Sequence, residues 1–145
     1  MGIELFERVA EAQGRILKVE QLVAADADPD PSRGPGYLLT FDVGRILVVA
    51  DPANSRLIVR AIESASAVAA IKSTPVEEEE PWWRVVGNPV TRAWPGGRGE
   101  GAITPSSDVR EVRIQFREDA ENPRVVSLRY ESRAVRVGME ETHVR

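Results

Sequence analysis

The residue types best suited to binding are gathered in one segment of this 145-residue chain, residues 77–97, which reads EEEEPWWRVVGNPVTRAWPGG. It holds all 3 tryptophans of the chain, and Arg84 and Arg92 lie close in sequence to Trp83 and Trp94. Tryptophan and arginine are the types most enriched among the residues that dominate binding energy at protein interfaces. The segment therefore predicts either a protein-binding surface or a set of core side chains, since tryptophan is also largely buried on average.

Two local geometries are open for residues 82–86. In a strand, Trp82 and Trp83 would point to opposite faces. In a helical turn, Trp82 would share a face with Val86, and Trp83 would flank that face. Either geometry leaves one of the two adjacent rings near the surface or beneath a second layer, so the pair cannot easily be hidden on one side of the element.

The binding interpretation names four residues. We expect Trp83 or Trp94 to be the exposed ring, with Arg84 or Arg92 beside it as part of the same patch. The glutamates at 77–80 would then supply an acidic rim that steers a basic partner towards the patch. A run of like charges is otherwise typical of a solvated face or a linker.

The sequence contains few residues that are suited to catalysis. The only histidine is His143, two residues from the end of the sequence, and there is no cysteine to act as a nucleophile, a zinc ligand or half of a disulfide. Catalytic groups must be held within fractions of an ångström, which a chain end rarely achieves. We therefore predict no catalytic residue, no cofactor and no metal site.

Three aspartates resemble the start of a calcium loop without completing it. Asp26, Asp28 and Asp30 match the first alternating ligands of an EF-hand. The pattern then fails, because Pro31 stands where the sharp turn needs glycine and Tyr37 stands where the bidentate glutamate belongs. A solvated linker is the better interpretation of this segment.

The glycines at 96, 97, 99 and 101 match neither a P-loop nor a dinucleotide-binding turn. The loop that contains them, residues 95–104, suggests a second function, in which it closes as a lid over a small ligand or a carbohydrate. A third is an enzyme that uses two carboxylates, but 23 acidic residues offer no distinctive pair.

Composition narrows the class of partner. The formal charge is −4, and none of the segments 1–36, 37–107 and 108–145 has an excess of basic residues, which argues against a nucleic-acid binder. No apolar run approaches the roughly 20 residues of a membrane span. The first residues lack the cationic start and apolar core of a signal peptide, so we expect a cytoplasmic protein.

Hydrophobic periodicity predicts one helix followed mostly by strands. Three- and four-residue spacing indicates an amphipathic helix over residues 3–13 that is stopped by Gly14. Residues 64–71 are consistent with a short helix or the tail of a strand. Alternation predicts strands at 15–25, 37–43, 46–50, 57–61, 112–117, 125–130 and 134–137, with hairpin loops at 51–55 and 118–123 and a kink at 131–133.

The absence of a βαβ rhythm indicates an α+β fold, with the N-terminal helix packed on a mainly antiparallel sheet of about six strands. The length predicts a single domain over 1–145 with loops at 26–36, 72–81 and 95–109.

The following segments occur in this order: GRIL at 14–17, YLLTFDVGRILVVAD, WWRVVGNPVTRAW, a glycine-rich loop, and REVRIQFRED followed by VVSLRYESRAVRVG. In this order of segments the chain resembles small bacterial single-domain proteins of unknown function. Some similar small acidic proteins are immunity proteins encoded beside toxins. The resemblance implies a non-catalytic protein-binding domain, such as an immunity-type inhibitor or an adaptor. The residues themselves leave the ligand-binding and enzymatic alternatives open.

Overall fold

The computed structural model describes residues 3–22, 33–62, 73–79, 82–95, 110–116, 124–131 and 133–141. Within these ranges the chain forms one α-helix, one 3₁₀ turn and ten strands. The elements are α1 (Ile3–Glu11), β1 (Ile16–Leu22), β2 (Arg33–Gly34), β3 (Gly36–Phe41), β4 (Gly44–Asp51), β5 (Arg56–Ala61), β6 (Ser73–Pro75), the 3₁₀ turn (Trp82–Arg84), β7 (Val90–Pro95), β8 (Glu111–Phe116), β9 (Arg124–Glu131) and β10 (Ala134–Glu141).

The strands form two five-stranded sheets. The first has the order β5-β4-β3-β1-β6 and the second has the order β2-β10-β9-β8-β7. Every pairing between these strands is antiparallel. The predicted α+β class with antiparallel strands is therefore confirmed, whereas the prediction of one sheet of about six strands is wrong.

Both sheets contribute to one hydrophobic core because each presents an apolar face inwards. On β8, the alternate residues Val112, Ile114 and Phe116 are buried, while Arg113 and Gln115 between them are partly exposed. The first sheet faces this core with an equivalent set of buried side chains. These are Ile16, Val19, Tyr37, Leu39, Phe41, Ile46, Val48 and Leu57.

Helix α1 packs against an edge strand of each sheet. It contacts β7 of the second sheet and β5 of the first. Its buried Phe6 meets Phe41 of β3 edge to face, with 6.4 Å between ring centroids. The helix was expected to lie on one sheet, and the reason for the difference is that its apolar stripe is shared between two.

The chain passes from one sheet to the other at Pro35. Gly34 pairs with Val135 in the second sheet, and Gly36 pairs with Val49 in the first. Neither glycine leaves room for a Cβ, since one on Gly34 would stand 2.6 Å from the side-chain amide of Gln21 and one on Gly36 would stand 2.7 Å from the Val48 carbonyl oxygen. The predicted loop at 26–36 therefore ends in strand structure.

Two other boundaries differ from expectation. The predicted loop at 72–81 contains β6, which pairs with β1. The predicted kink at 131–133 is a reversal, because Ala134 pairs back on Glu131 and Arg133 has a φ of 68°. The hairpin loop that was predicted at 118–123 lies outside the described residues, and the strands on its two sides, β8 and β9, pair antiparallel.

Several predictions concern residues outside the described ranges. These are the helix or strand at 64–71, the aspartates at 26, 28 and 30, the glycine-rich loop beyond Pro95, and His143. Among the helices that are described, none is long and apolar enough to cross a membrane.

Candidate binding surface

The 3₁₀ turn is anchored by the first of the adjacent tryptophans. Trp82 is fully buried, and its ring centroid lies 6.0 Å from that of Tyr37 on β3. The N–H groups of Val85 and Val86 both donate to the Trp82 carbonyl oxygen, at 2.9 and 3.0 Å. Val85 is also fully buried, so the inward side of the turn belongs to the core.

The second tryptophan of the pair faces outwards. Trp83 is 51% exposed, and it is one of three large hydrophobic side chains among the described residues that are exposed. The Arg84 guanidinium carbon lies 4.6 Å from the centroid of the Trp83 ring. A cation at this distance is attracted by the ring quadrupole, by about 0.5–1 kcal/mol at an exposed site, and the two side chains form one amphipathic unit.

Backbone hydrogen bonds hold the end of this turn against β1. Gly87 donates its N–H to the Ile16 carbonyl oxygen at 2.7 Å, and Ile16 donates to the Asn88 carbonyl oxygen at 3.3 Å. The Arg15 side chain donates from Nη1 to the Gly87 carbonyl oxygen at 3.0 Å. Trp83 is therefore presented from a segment that is fixed at one end by buried side chains and at the other by β1.

The described glutamates before the turn are placed in different ways. The Glu77 carboxylate accepts a hydrogen bond from the Val19 N–H at 3.2 Å and so caps an edge of the first sheet. Glu78 and Glu79 are exposed, and the Glu79 carbonyl oxygen accepts from the Trp83 N–H at 3.1 Å. These two glutamates place exposed carboxylates beside the turn, and Glu80 lies outside the described residues.

The remaining two predicted residues lie on β7. Ala93 is buried, whereas Arg92 is exposed and Trp94 is partly exposed, so these two side chains share the outer side of the strand. The Arg92 guanidinium carbon stands 5.0 Å from the centroid of the Trp94 ring. In the paired strand, Trp94 lies opposite Arg113 and Arg92 opposite Gln115.

The structure thus joins the four residues into two pairs on two different elements. Each predicted arginine lies against the predicted ring that is nearest to it in sequence. Trp82, which the sequence left open, is assigned to the core by its burial. Of the two local geometries considered for residues 82–86, the helical turn is the one observed.

A groove between α1 and the first sheet was not predicted from the sequence. Its volume is about 520 Å³. Its lining comes from α1, β3, β4 and the end of β5, and because these segments are far apart in the chain no local motif marks it. The described ranges contain no group of three or more histidine, aspartate or glutamate side chains placed to hold a metal ion.

The chain matches no protein-family model, and neither the curated proteins nor the solved structures contain a significant match to it.

Proposed function

We propose that this protein is a non-catalytic binding protein whose partner is another protein, and that Trp83 with Arg84 forms the centre of the contact. The observation that carries this proposal is the exposure of Trp83 on a turn whose neighbouring residue is fully buried. An exposed ring on an anchored turn meets a partner with little loss of conformational freedom, which is a main cost of association.

The exposed area of the Trp83 ring is large enough for this residue to be an interface hot spot. A tryptophan buries about 150–250 Å² when it is covered, so the exposed half leaves roughly 100 Å² for a partner to cover. At about 25 cal/mol per Å², this area corresponds to about 2.5 kcal/mol. That magnitude is in the range of an interface hot spot, at about 2 kcal/mol or more.

A protein partner is favoured over a small ligand at this position. Trp83 and Trp94 are both absent from the lining of the groove beside α1. Small ligands generally need a concave site that covers most of their surface, whereas a protein can cover a ring on a projecting turn. The exposed Glu78 and Glu79 beside the ring favour a partner surface that carries basic residues.

The test combines capture with site-specific crosslinking. A photoreactive amino acid at position 83 should crosslink to a protein of the native host, and the same group at Val43, which is also exposed, should not form that adduct. Trp83→Ala and Arg84→Glu should abolish capture of the same protein, while Arg60→Glu, a reversal at another exposed arginine, should not. Equal capture by all of these variants would overturn the proposal.

Trp94 and Arg92 are tested separately because they lie on another element. If they extend the same contact, Trp94→Ala should weaken capture of the protein that crosslinks at position 83. Unchanged capture would restrict the surface to the 3₁₀ turn.

A further inference from the structure

The groove beside α1 has an apolar floor. Val9, Phe41 and Ile46 line it and are each almost fully buried, at no more than 5% exposure. Further apolar lining comes from both the helix and the strands. These residues are Leu5, Ala12, Val43, Ala61 and Ile62. A volume of about 520 Å³ lies within the range of about 300–1,000 Å³ that is usual for small-ligand sites.

Among the described residues that line this groove, the charged ones are both cations. Arg8 comes from α1 and Arg45 from β4, and none of the described lining residues is an aspartate or a glutamate. The chain carries 23 acidic residues against 19 lysines and arginines, so the two arginines in the described lining do not follow from an excess of basic residues. An anionic group that enters the groove would therefore meet two positive charges and no negative charge among the described lining residues.

Neither guanidinium is paired within the described part of the chain, where no hydrogen bond or ion pair involves the side chain of Arg8 or Arg45. Two acidic residues that lie close to Arg8 or Arg45 in sequence do not pair with these arginines. Asp42 accepts a hydrogen bond from the Arg15 N–H at 3.0 Å, and Glu4, one helical turn before Arg8, is exposed. Two arginines at an apolar groove are thus available to a carboxylate, which a guanidinium can bind through two parallel hydrogen bonds.

We infer that this groove binds a fatty carboxylate, with the hydrocarbon chain on the apolar floor and the carboxylate at Arg8 and Arg45. Each buried methylene tightens binding by roughly fourfold, so the hydrocarbon chain supplies affinity while the arginines select for the charged head. This site is distinct from the Trp83 surface, and the inference does not depend on the proposed protein partner.

The experiment is a calorimetric titration with decanoate, below its critical micelle concentration, and with decanol as the uncharged analogue. Decanoate should bind to the wild type at least about tenfold more tightly than decanol, because a hydrogen bond to a charged group is worth about 1.5 kcal/mol or more. The double variant Arg8→Gln, Arg45→Gln should lose that preference and still bind decanol. The matched control Arg60→Gln should bind both molecules as the wild type does.

A second variant tests the position of the chain. Ala61→Trp should fill the groove and remove binding of decanoate and decanol, whereas Ala53→Trp, in the loop between β4 and β5, should not. Ala12→Trp repeats the test from the helix side if Ala61→Trp does not fold. The inference is overturned if decanoate does not bind, if both groove-filling variants bind it normally, or if it binds equally well without the two arginines.

Discussion

Trp82 and Trp83 are adjacent in the chain, yet the first is fully buried against Tyr37 and the second is 51% exposed with Arg84 over its ring. The cause is the 3₁₀ geometry, in which successive side chains are about 120° apart, so a turn that buries one ring must direct its neighbour elsewhere. The fold and the proposed contact therefore use different tryptophans, and substitutions can separate the two roles.

Trp82→Ala should lower the free energy of unfolding by about 3–5 kcal/mol, as for other large aromatic residues that are removed from a core. Trp82→Phe should cost less, because the Trp82 Nε1 is buried without a hydrogen-bond acceptor in the described structure and its loss breaks no bond. Urea denaturation of both variants measures this. An equal loss of unfolding free energy in the two variants would show that the indole N–H of Trp82 donates a hydrogen bond in the folded protein.

Trp83→Ala should lower the free energy of unfolding by no more than about 1 kcal/mol, since the position is exposed and the contact that it loses with Arg84 is worth about 0.5–1 kcal/mol. Its effect should fall on partner capture instead. A thermal melt beside the capture assay distinguishes the two, and a loss of several kcal/mol would mean that Trp83 contributes mainly to stability.

The end of α1 offers a pair of opposite changes. Gly14 donates to the Val9 carbonyl oxygen at 2.9 Å and Gln13 donates to the Ala10 carbonyl oxygen at 3.0 Å, which is the Schellman pattern. Gln13 holds the left-handed position, with a φ of 53°. Gln13→Gly should therefore stabilise the protein by roughly 0.5–1 kcal/mol, because the relief of strain exceeds the added backbone entropy.

Gly14→Ala should act in the opposite direction. A Cβ at this position would stand 2.8 Å from a Val43 methyl and 2.9 Å from a Val9 methyl. Such overpacking costs about 1–3 kcal/mol. We expect the denaturant midpoint of Gln13→Gly to lie above the wild-type value and that of Gly14→Ala to lie below it. A stabilising Gly14→Ala would contradict the close packing of Val9 and Val43 around Gly14.

Asp51, at the end of β4, should make stability dependent on acid pH. Its pKa is lowered from the ordinary value of 3.8, first by a hydrogen bond from the Asn54 side chain and then by one from Arg56. The ionised form is favoured in the folded state, so its contribution is complete above pH 3.8 and is lost as the pH falls through the lowered pKa.

Asn54→Ala should raise the pKa of Asp51 towards 3.8, and an NMR titration of the Asp51 side chain measures it. Asp51→Asn should be less stable than the wild type at neutral pH, with the difference disappearing in strong acid. A difference that persists unchanged below the Asp51 pKa would point to a cause other than the carboxylate charge.

Part of the fold can be predicted from the sequence because it depends on residues that are close together in the chain. The alternation of Val112, Ile114 and Phe116 reports directly which face of β8 is buried. β2 and β6 could not be predicted from the sequence, because two or three residues are too few to show an alternation of apolar and polar side chains. These strands form only because β10 and β1 offer an edge for pairing. The predicted number of strands was too low because these two strands were missed, together with β7.

The same distinction applies to the sites. The sequence narrowed the exposed ring to Trp83 or Trp94, but the choice between a strand and a turn depended on whether Trp82 could pack against Tyr37, which lies far from it in the chain. The groove was not predicted because Arg8 and Arg45 are brought together only by the packing of α1 against the first sheet.

The crossing at Pro35 also bears on how the chain is made. β2 pairs with β10, about a hundred residues later, while β3 begins immediately after the proline. The early segment can assemble much of the first sheet as it is synthesised, but its two-residue strand must wait for β10 to leave the ribosome. Pairings between such distant segments slow folding. During that interval the inner face of the first sheet has no second sheet over it, so the nascent chain is exposed to aggregation until the strands of the second sheet have been made.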